Sequence, residues 1–433
     1  MDFKEEYKRK LVPVEDAVNK IKSNNSVVAT MATFQPVGFL SNLHLIKDKV
    51  QNVTVISCLL FKEYEFYKFL GKDNDTPFFL ESWFLGSFER DLYKKGIATF
   101  IPNNLHTAAI DKISERKINV FVGTATPMDK NGYFLLSPML AYEKDMAENA
   151  DLVMLEVNEN IPQTYGDTII HINKVDYVFE NNVPLIEVPS IEPTEIERKI
   201  GEYVGDLIED GSTIQLGIGG IPNAITKFLT NKKNLGVHTE MITDGMVDLI
   251  EIGVINNSKK TLWKDKTIGT LAIGTKKLYD YVDKNVSVEI HRGRIVNDPY
   301  IVAKNEKMVT VNASLQIDLT GQVCSESFGF NQYTGEGGQL DMHRGATMSK
   351  DGKGIIAMRS TVKNDSISTI LPMLTPGSFI TVPRQDVDYI VTEFGIAHLK
   401  GKSVRDRVLS LVNIAHPNFK DFLLNEAKKL NLI

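Results

Sequence analysis

The feature that most limits what this chain can fold into is an internal repeat at a shift of 186 residues. In the first copy a helical pattern over Val14–Ile21 meets Ser23-Asn24-Asn25, then the run Ser26-Val27-Val28-Ala29-Thr30, then Gln35-Pro36. In the second, a helical pattern over Ile196–Ile208 meets Glu209-Asp210-Gly211, then Ser212-Thr213-Ile214-Gln215-Leu216, then Ile221-Pro222. Pro36 and Pro222 fall in register, and Val53-Thr54-Val55-Ile56 sits opposite Thr239-Glu240-Met241-Ile242. Further on, Asp129 and Gly132 match Asp318 and Gly321 at a shift of 189. Helical spacing, a polar break and a short β-branched strand mark one α/β unit. Register kept over this length makes chance similarity the weaker explanation. The expected fold is therefore α/β, with two similar domains and mostly parallel sheets.

Length agrees, because 433 residues exceed one ordinary core and suit two domains of about 200 residues each. The boundary falls near Glu187–Pro193, where Val188-Pro189-Ser190-Ile191-Glu192-Pro193 reads as an extended linker. That gives domains 1–190 and 191–433. A net charge of −6 argues against nucleic acid as a partner. Cys58 and Cys324 make no metal spacing and no disulfide framework. No apolar run is long enough for a membrane span, and the first residues, charged with both signs, lack the apolar core of a signal peptide. The expected location is the cytoplasm.

The copies differ where chemistry would sit. Gly217-Ile218-Gly219-Gly220 stands opposite Met31, Ala32, Thr33 and Phe34, and Glu240 stands opposite Thr54, so the carboxyl half reads as the catalytic half. Gly217–Pro222 follows a strand and opens a helix. Its free N–H groups suit a phosphate, a carboxylate or a developing oxyanion, unless it is only a tight turn. With Pro222 in the third glycine position, it is not a dinucleotide fingerprint. Glu240 in His238-Thr239-Glu240 is read as the end of a strand, where α/β sheets bind ligands. A lone glutamate is more often a solvated charge. His238 would hold a backbone group or orient the carboxylate rather than act as a base. Gly335-Glu336-Gly337-Gly338-Gln339-Leu340-Asp341 is a second glycine loop, read as another wall of the same slot or as a surface loop. Thr126–Tyr133 reads as a structural turn, and Lys400–Arg407 as solvated charge at a helix start.

Taken together, Gly217–Pro222, His238–Asp248, Val323–Asp341 and Asp388–Ala397 resemble the acetyl-CoA hydrolase/transferase family of class I CoA-transferases. The likeness is nearest to its 4-hydroxybutyrate and butyryl-CoA:acetate members. The resemblance implies the duplicated CoA-transferase-like fold and a glutamate that becomes a glutamyl-CoA thioester, which falls on Glu240. It implies a CoA-contacting loop on Gly217, Ile218, Gly219, Gly220 and Ile221, with Gly337 also at the cofactor. A main-chain oxyanion contact falls on Gly338, a side-chain oxyanion donor on Asn297, and a CoA-binding lysine on Lys363. It further implies a homodimer with no metal and no tightly bound cofactor, coenzyme A thioester being a substrate.

The chemistry asks for little else. A carboxylate attacks an acyl thioester, and the released thiolate then captures the glutamyl carbonyl in a ping-pong cycle. Glu240 must stay ionised to attack, so its site should offer hydrogen bonds rather than bare burial. The near rival is hydrolysis of the same thioester; the distant ones are a nucleotide-binding oxidoreductase and a non-catalytic CoA-binding protein. Expected substrates are short acyl-CoAs of 4-hydroxybutyryl, butyryl or acetyl type with acetate as acceptor. The Glu336 carboxylate, if it faces the acyl pocket rather than solvent, would repel the distal carboxylate of succinyl-CoA, making succinyl-CoA a poor donor compared with butyryl-CoA.

Overall fold

In the computed structural model, which describes residues 2–72 and 76–433, the β-branched runs of the repeat become buried strands inside two sheets. All residues of β1 (Ser26–Ala29) are buried, as a parallel strand covered on both faces requires. It is joined by β2 (Val53–Ser57), β3 (Phe78–Ser82), β4 (Ala98–Phe100), β5 (Val120–Ala125), β6 (Leu152–Val157) and β7 (Tyr177–Glu180). Their order is β7-β6-β5-β1-β2-β3-β4, parallel throughout.

In the second unit β8 (Thr213–Leu216), buried at every position, lies between β9 (Gly236–Ile242) and β10 (Met308–Ala313). Next to β10 come β11 (Lys353–Ala357) and β12 (Tyr389–Thr392) in parallel, and β13 (Gly395–His398) returns antiparallel. The order β12-β11-β10-β8-β9 repeats β7-β6-β5-β1-β2 strand for strand. The later match recurs as the same turn. Asp129 Oδ1 accepts the N–H groups of Asn131 and Tyr133, and Asp318 Oδ1 accepts those of Thr320, Gly321 and Gln322. The Thr126–Tyr133 segment is thus a turn held by its own aspartate.

The chain clusters into two units, Met1–Val188 with Gly269–Ile295, and Pro189–Ile268 with Val296–Ile433. A single cut at 190/191 therefore leaves out the return of 269–295 to the first unit. That segment is tied there by backbone pairing and charge. Val288–Ile290 pairs in parallel with Tyr165–Gly166, and Arg292 donates to Asp145 at 2.9 Å and to Glu148 at 2.6 Å.

The sheets also correct the alignment of the two copies. Ser26 pairs with Thr54, 28 residues on, whereas Thr213 pairs with Gly236, only 23 residues on. The connection between the paired strands is thus five residues shorter in the second copy. Carried along the strands, the second register sets Glu240 level with Gly217, and the first sets Leu59 level with Met31. The counterpart of Glu240 is Leu59, not Thr54.

Buried carboxylates fasten the loops of the first unit. Glu89 accepts from Ser57 Oγ at 2.8 Å and from Gly86 N at 2.7 Å. Glu143 accepts from the backbone of Met31 and Tyr142, and Glu156 from Gly38, Phe39 and the Asn181 side chain. Burial pushes all three upward, Glu143 to about 7. In the second unit, α1 (Glu195–Leu207) begins with a reciprocal cap. Thr194 Oγ1 accepts from Glu197 N, and the Glu197 carboxylate accepts from Thr194 N. Two further helices of this unit start from glycines, α2 (Gly220–Phe228) and α3 (Gln339–Met348), the latter directly after Gly338.

Candidate active site

Three segments of the second unit converge on one carboxylate. Glu240 is carried by β9, which runs on to Ile242 instead of ending at the glutamate. Asn297, fully buried just after the short helix Gly293–Val296, donates through Nδ2 to Glu240 Oε2 at 3.0 Å. Gly338 gives its backbone N–H to the same carboxylate. A Cβ on Gly338 would lie 2.0 Å from Asn297 Nδ2 and 2.1 Å from Glu240 Oε2. Only glycine lets the main chain approach this closely.

Burial is the largest influence on Glu240 and pushes it up to about 7, opposed by the Asn297 and Gly338 donors and reinforced by Asp341 in the first turn of α3. The expectation that hydrogen bonds would outweigh burial is thus reversed. The carboxylate is held by two donors, yet half protonated near neutral pH.

The first glycine turn follows β8 and feeds α2. Gly219 has φ +113°, a conformation suited to glycine, and no atom lies within 4 Å of where its Cβ would be. Ile218 is 44% exposed, so this loop borders open space. Gly217 lies level with Glu240 by register, and the chain continues from it through Ile218, Gly219, Gly220 and Ile221 into α2. Gly220 rests on the Glu197 carboxylate, which Arg359 holds at 2.9 Å. Gly337 adjoins Gly338 in the chain. Lys363 stands elsewhere, at the exposed tip of the hairpin of Thr361–Val362 and Ile367–Ser368, apart from the Glu240 contacts.

Two residues around this cluster carry roles that sequence reasoning missed. Asp341 closes the second glycine loop, but nothing in that loop marks it as a neighbour of Glu240. Asn305 lies in no motif, yet it donates to His238 Nδ1 at 3.1 Å, while His238 Nε2 lies 2.8 Å from the Val296 carbonyl. His238 thus holds a backbone group, one of the two roles expected for it. Contacts this distant in sequence leave no local signal.

Glu336 corrects an electrostatic expectation. Burial, with Glu326 and Asp341 nearby, pushes it up to about 9, and its buried Oε1 has no hydrogen-bond partner. At neutral pH it stands uncharged, so it has no charge with which to repel a succinyl group. Glu326, by contrast, accepts from Gln332 Nε2 and Thr381 Oγ1, both at 2.9 Å. In the basic cluster, Arg407 is buried and donates to the Thr320 and Arg384 carbonyls, fastening loops rather than sitting in solvent. No helix among the described residues is long and apolar enough to cross a membrane.

Comparison with known proteins places the whole chain in one family. The family model for the acetyl-CoA hydrolase/transferase N-terminal domain matches residues 1–189, and that for the C-terminal domain matches residues 274–427. The chain is 43% identical to a 4-hydroxybutyrate coenzyme A transferase of Clostridium kluyveri, over 99% of this chain and 100% of that protein. It is 39% identical to a succinyl-CoA:cyclohexane-1-carboxylate CoA transferase of Geobacter metallireducens, over 100% of this chain and 98% of that one. Among solved structures, RipA from Yersinia pestis superposes with a TM-score of 0.93 at 35% identity, covering 100% of both chains.

Proposed function

The chain belongs to the acetyl-CoA hydrolase/transferase family and is a CoA-transferase; from that premise we propose that it works through a thioester on Glu240. It moves coenzyme A from a short acyl-CoA, of 4-hydroxybutyryl, butyryl or acetyl type, to a carboxylate such as acetate. The observation that carries this reading is the Glu240 carboxylate held by Asn297 Nδ2 and the Gly338 N–H beside an open glycine turn.

A Glu240 oxygen attacks the thioester carbonyl, the C–S bond breaks, and a mixed anhydride and CoA thiolate result. The thiolate attacks the glutamyl carbonyl carbon, a C–S bond forms, and the substrate acid leaves as its carboxylate. A second carboxylate runs the same steps in reverse and departs as the new acyl-CoA. The two donors contact the carboxylate of Glu240 itself. They therefore serve best in the steps where the glutamyl carbonyl is attacked and its oxygen gathers negative charge. In this reading the N–H groups of Gly217–Ile221 would contact the thioester end of CoA, and Lys363 would meet the phosphates.

The test is to incubate the enzyme with butyryl-CoA and no acceptor, reduce with borohydride, and map the modified peptide. Modification on Glu240, absent in Glu240→Gln, supports the mechanism. An adduct on Cys324, or none, removes it. Faster loss of butyryl-CoA on adding acetate, with acetyl-CoA appearing, identifies transfer, and unchanged loss identifies hydrolysis.

A further inference from the structure

Asn297 must be placed to within a few tenths of an ångström to serve Glu240, yet it lies outside any strand. The chain re-enters the second unit at Val296, one residue earlier. What holds this point is a buried hydrogen-bonded pair that starts on the strand of the nucleophile itself. His238, two residues before Glu240 on β9, is fully buried, and its Nε2 lies 2.8 Å from the Val296 carbonyl oxygen. A carbonyl only accepts, so Nε2 carries the proton. Nδ1 is then an acceptor and takes the Asn305 amide N–H at 3.1 Å. The Asn305 side-chain oxygen, Oδ1, accepts from Leu262 N at 3.2 Å, which fixes which way that amide faces. Asn305 is itself fully buried.

The Val296 carbonyl and the Asn297 nitrogen belong to one planar peptide. Holding the carbonyl therefore fixes where the Asn297 side chain starts. The result is a closed ring, from His238 along β9 to Glu240, across to Asn297 Nδ2, back through the peptide to Val296 and onto His238. We propose that His238 and Asn305 are positioning residues that set the Asn297 donor against Glu240 by gripping the Val296 carbonyl. This rests on the reading of Glu240 as the nucleophile. Neither residue touches the reacting atoms. Their action is to fix a tautomer and a distance.

The experiment compares kcat, KM for butyryl-CoA and the pH dependence of kcat/KM in His238→Ala, His238→Gln, Asn305→Ala, Asn297→Ala and the double variant His238→Ala/Asn297→Ala. Losing the grip should lower kcat by about tenfold to a hundredfold, with KM within about twofold. The acidic limb of kcat/KM should move to higher pH, as in Asn297→Ala, because the Asn297 donor holds the Glu240 carboxylate down. His238→Gln, whose amide can reach the same carbonyl, should recover most of the lost rate. The double variant should be no slower than Asn297→Ala alone, since one residue acts through the other. Multiplying losses in the double variant, or a wild-type acidic limb in His238→Ala, overturns the proposal. Where His238→Ala fails to fold, Asn305→Ala carries the same test: it must move the limb or the proposal falls. An active Glu240→Ala enzyme would instead sink the nucleophile assignment, a separate failure.

Discussion

Gly338→Ala tests the site with a single methyl group. The backbone at Gly338, φ −95° and ψ 20°, is open to alanine, so the substitution carries little strain of its own. The methyl, however, would stand 2.0 Å from Asn297 Nδ2 and 2.1 Å from Glu240 Oε2, where ordinary contact begins at 3.4 Å. Each atom must retreat by more than 1 Å or the Gly338 peptide must swing away. Either movement breaks the 3.0 Å bond between Asn297 and Glu240 or removes the main-chain donor. A hydrogen bond to a charged group contributes about 1.5–3 kcal/mol. One oxyanion donor contributes about 3 kcal/mol, so kcat should fall by about 10²- to 10³-fold, and further if both donors are lost. Acetyl-CoA formation from butyryl-CoA and acetate, followed by chromatography, gives kcat; calorimetry gives Tm, expected within a few degrees of wild type. A Gly338→Ala enzyme with kcat within threefold of wild type would refute the reasoning, because the geometry leaves no room for the methyl.

As the proposed nucleophile, Glu240 must be deprotonated to attack, so kcat/KM should rise with pH through about 7 and level off above it; a limb near the ordinary value of 4.5 would contradict the burial. His343, fully buried on α3, is held neutral with its pKa lowered from 6.5 to about 4. Its lowered value means the unfolded chain binds the proton first, so stability is full above about 6.5 and falls by about 3 kcal/mol as pH drops toward 4. Denaturant titrations at pH 7 and pH 4.5 on wild type and His343→Gln check this, and equal acid losses in both would exclude His343. Glu336→Gln should leave the ratio of kcat/KM for succinyl-CoA over butyryl-CoA within threefold at pH 7, because an uncharged group is replaced by another; a tenfold change would mean that Glu336 is ionised there.

Much of this was legible in sequence for a physical reason. Buried parallel strands demand runs such as Ser26–Ala29 and Thr213–Leu216, so the duplicated sheet shows directly in residue type. The glycine turn and Glu240 stood out because one copy has them and the other does not. What escaped was whatever depends on spacing across the sheet. The five-residue difference in strand connection displaced the alignment from Leu59 to Thr54, since periodicity gives strand content but not register. The return of 269–295 to the first unit, the grip of Asn305 on His238 and the neutrality of Glu336 come from contacts between distant segments. Residue type alone carries no trace of them.

The buried glutamates of the first unit have a consequence for how the two halves tolerate change. Glu89, Glu143 and Glu156 commit their oxygens to backbone N–H groups of neighbouring loops, so removing one leaves orphaned donors in the interior. Glu240, the proposed nucleophile, also accepts from Asn297 and Gly338, but Glu240→Gln keeps an acceptor oxygen for them while removing the charge whose burial is a standing destabilisation. In a saturation library scored for protein abundance and for turnover on separate axes, the same residue type would therefore split into two populations. Substitutions at the three first-unit glutamates would deplete abundance and leave specific activity in the survivors. Glu240→Gln would keep or raise abundance in catalytically silent protein.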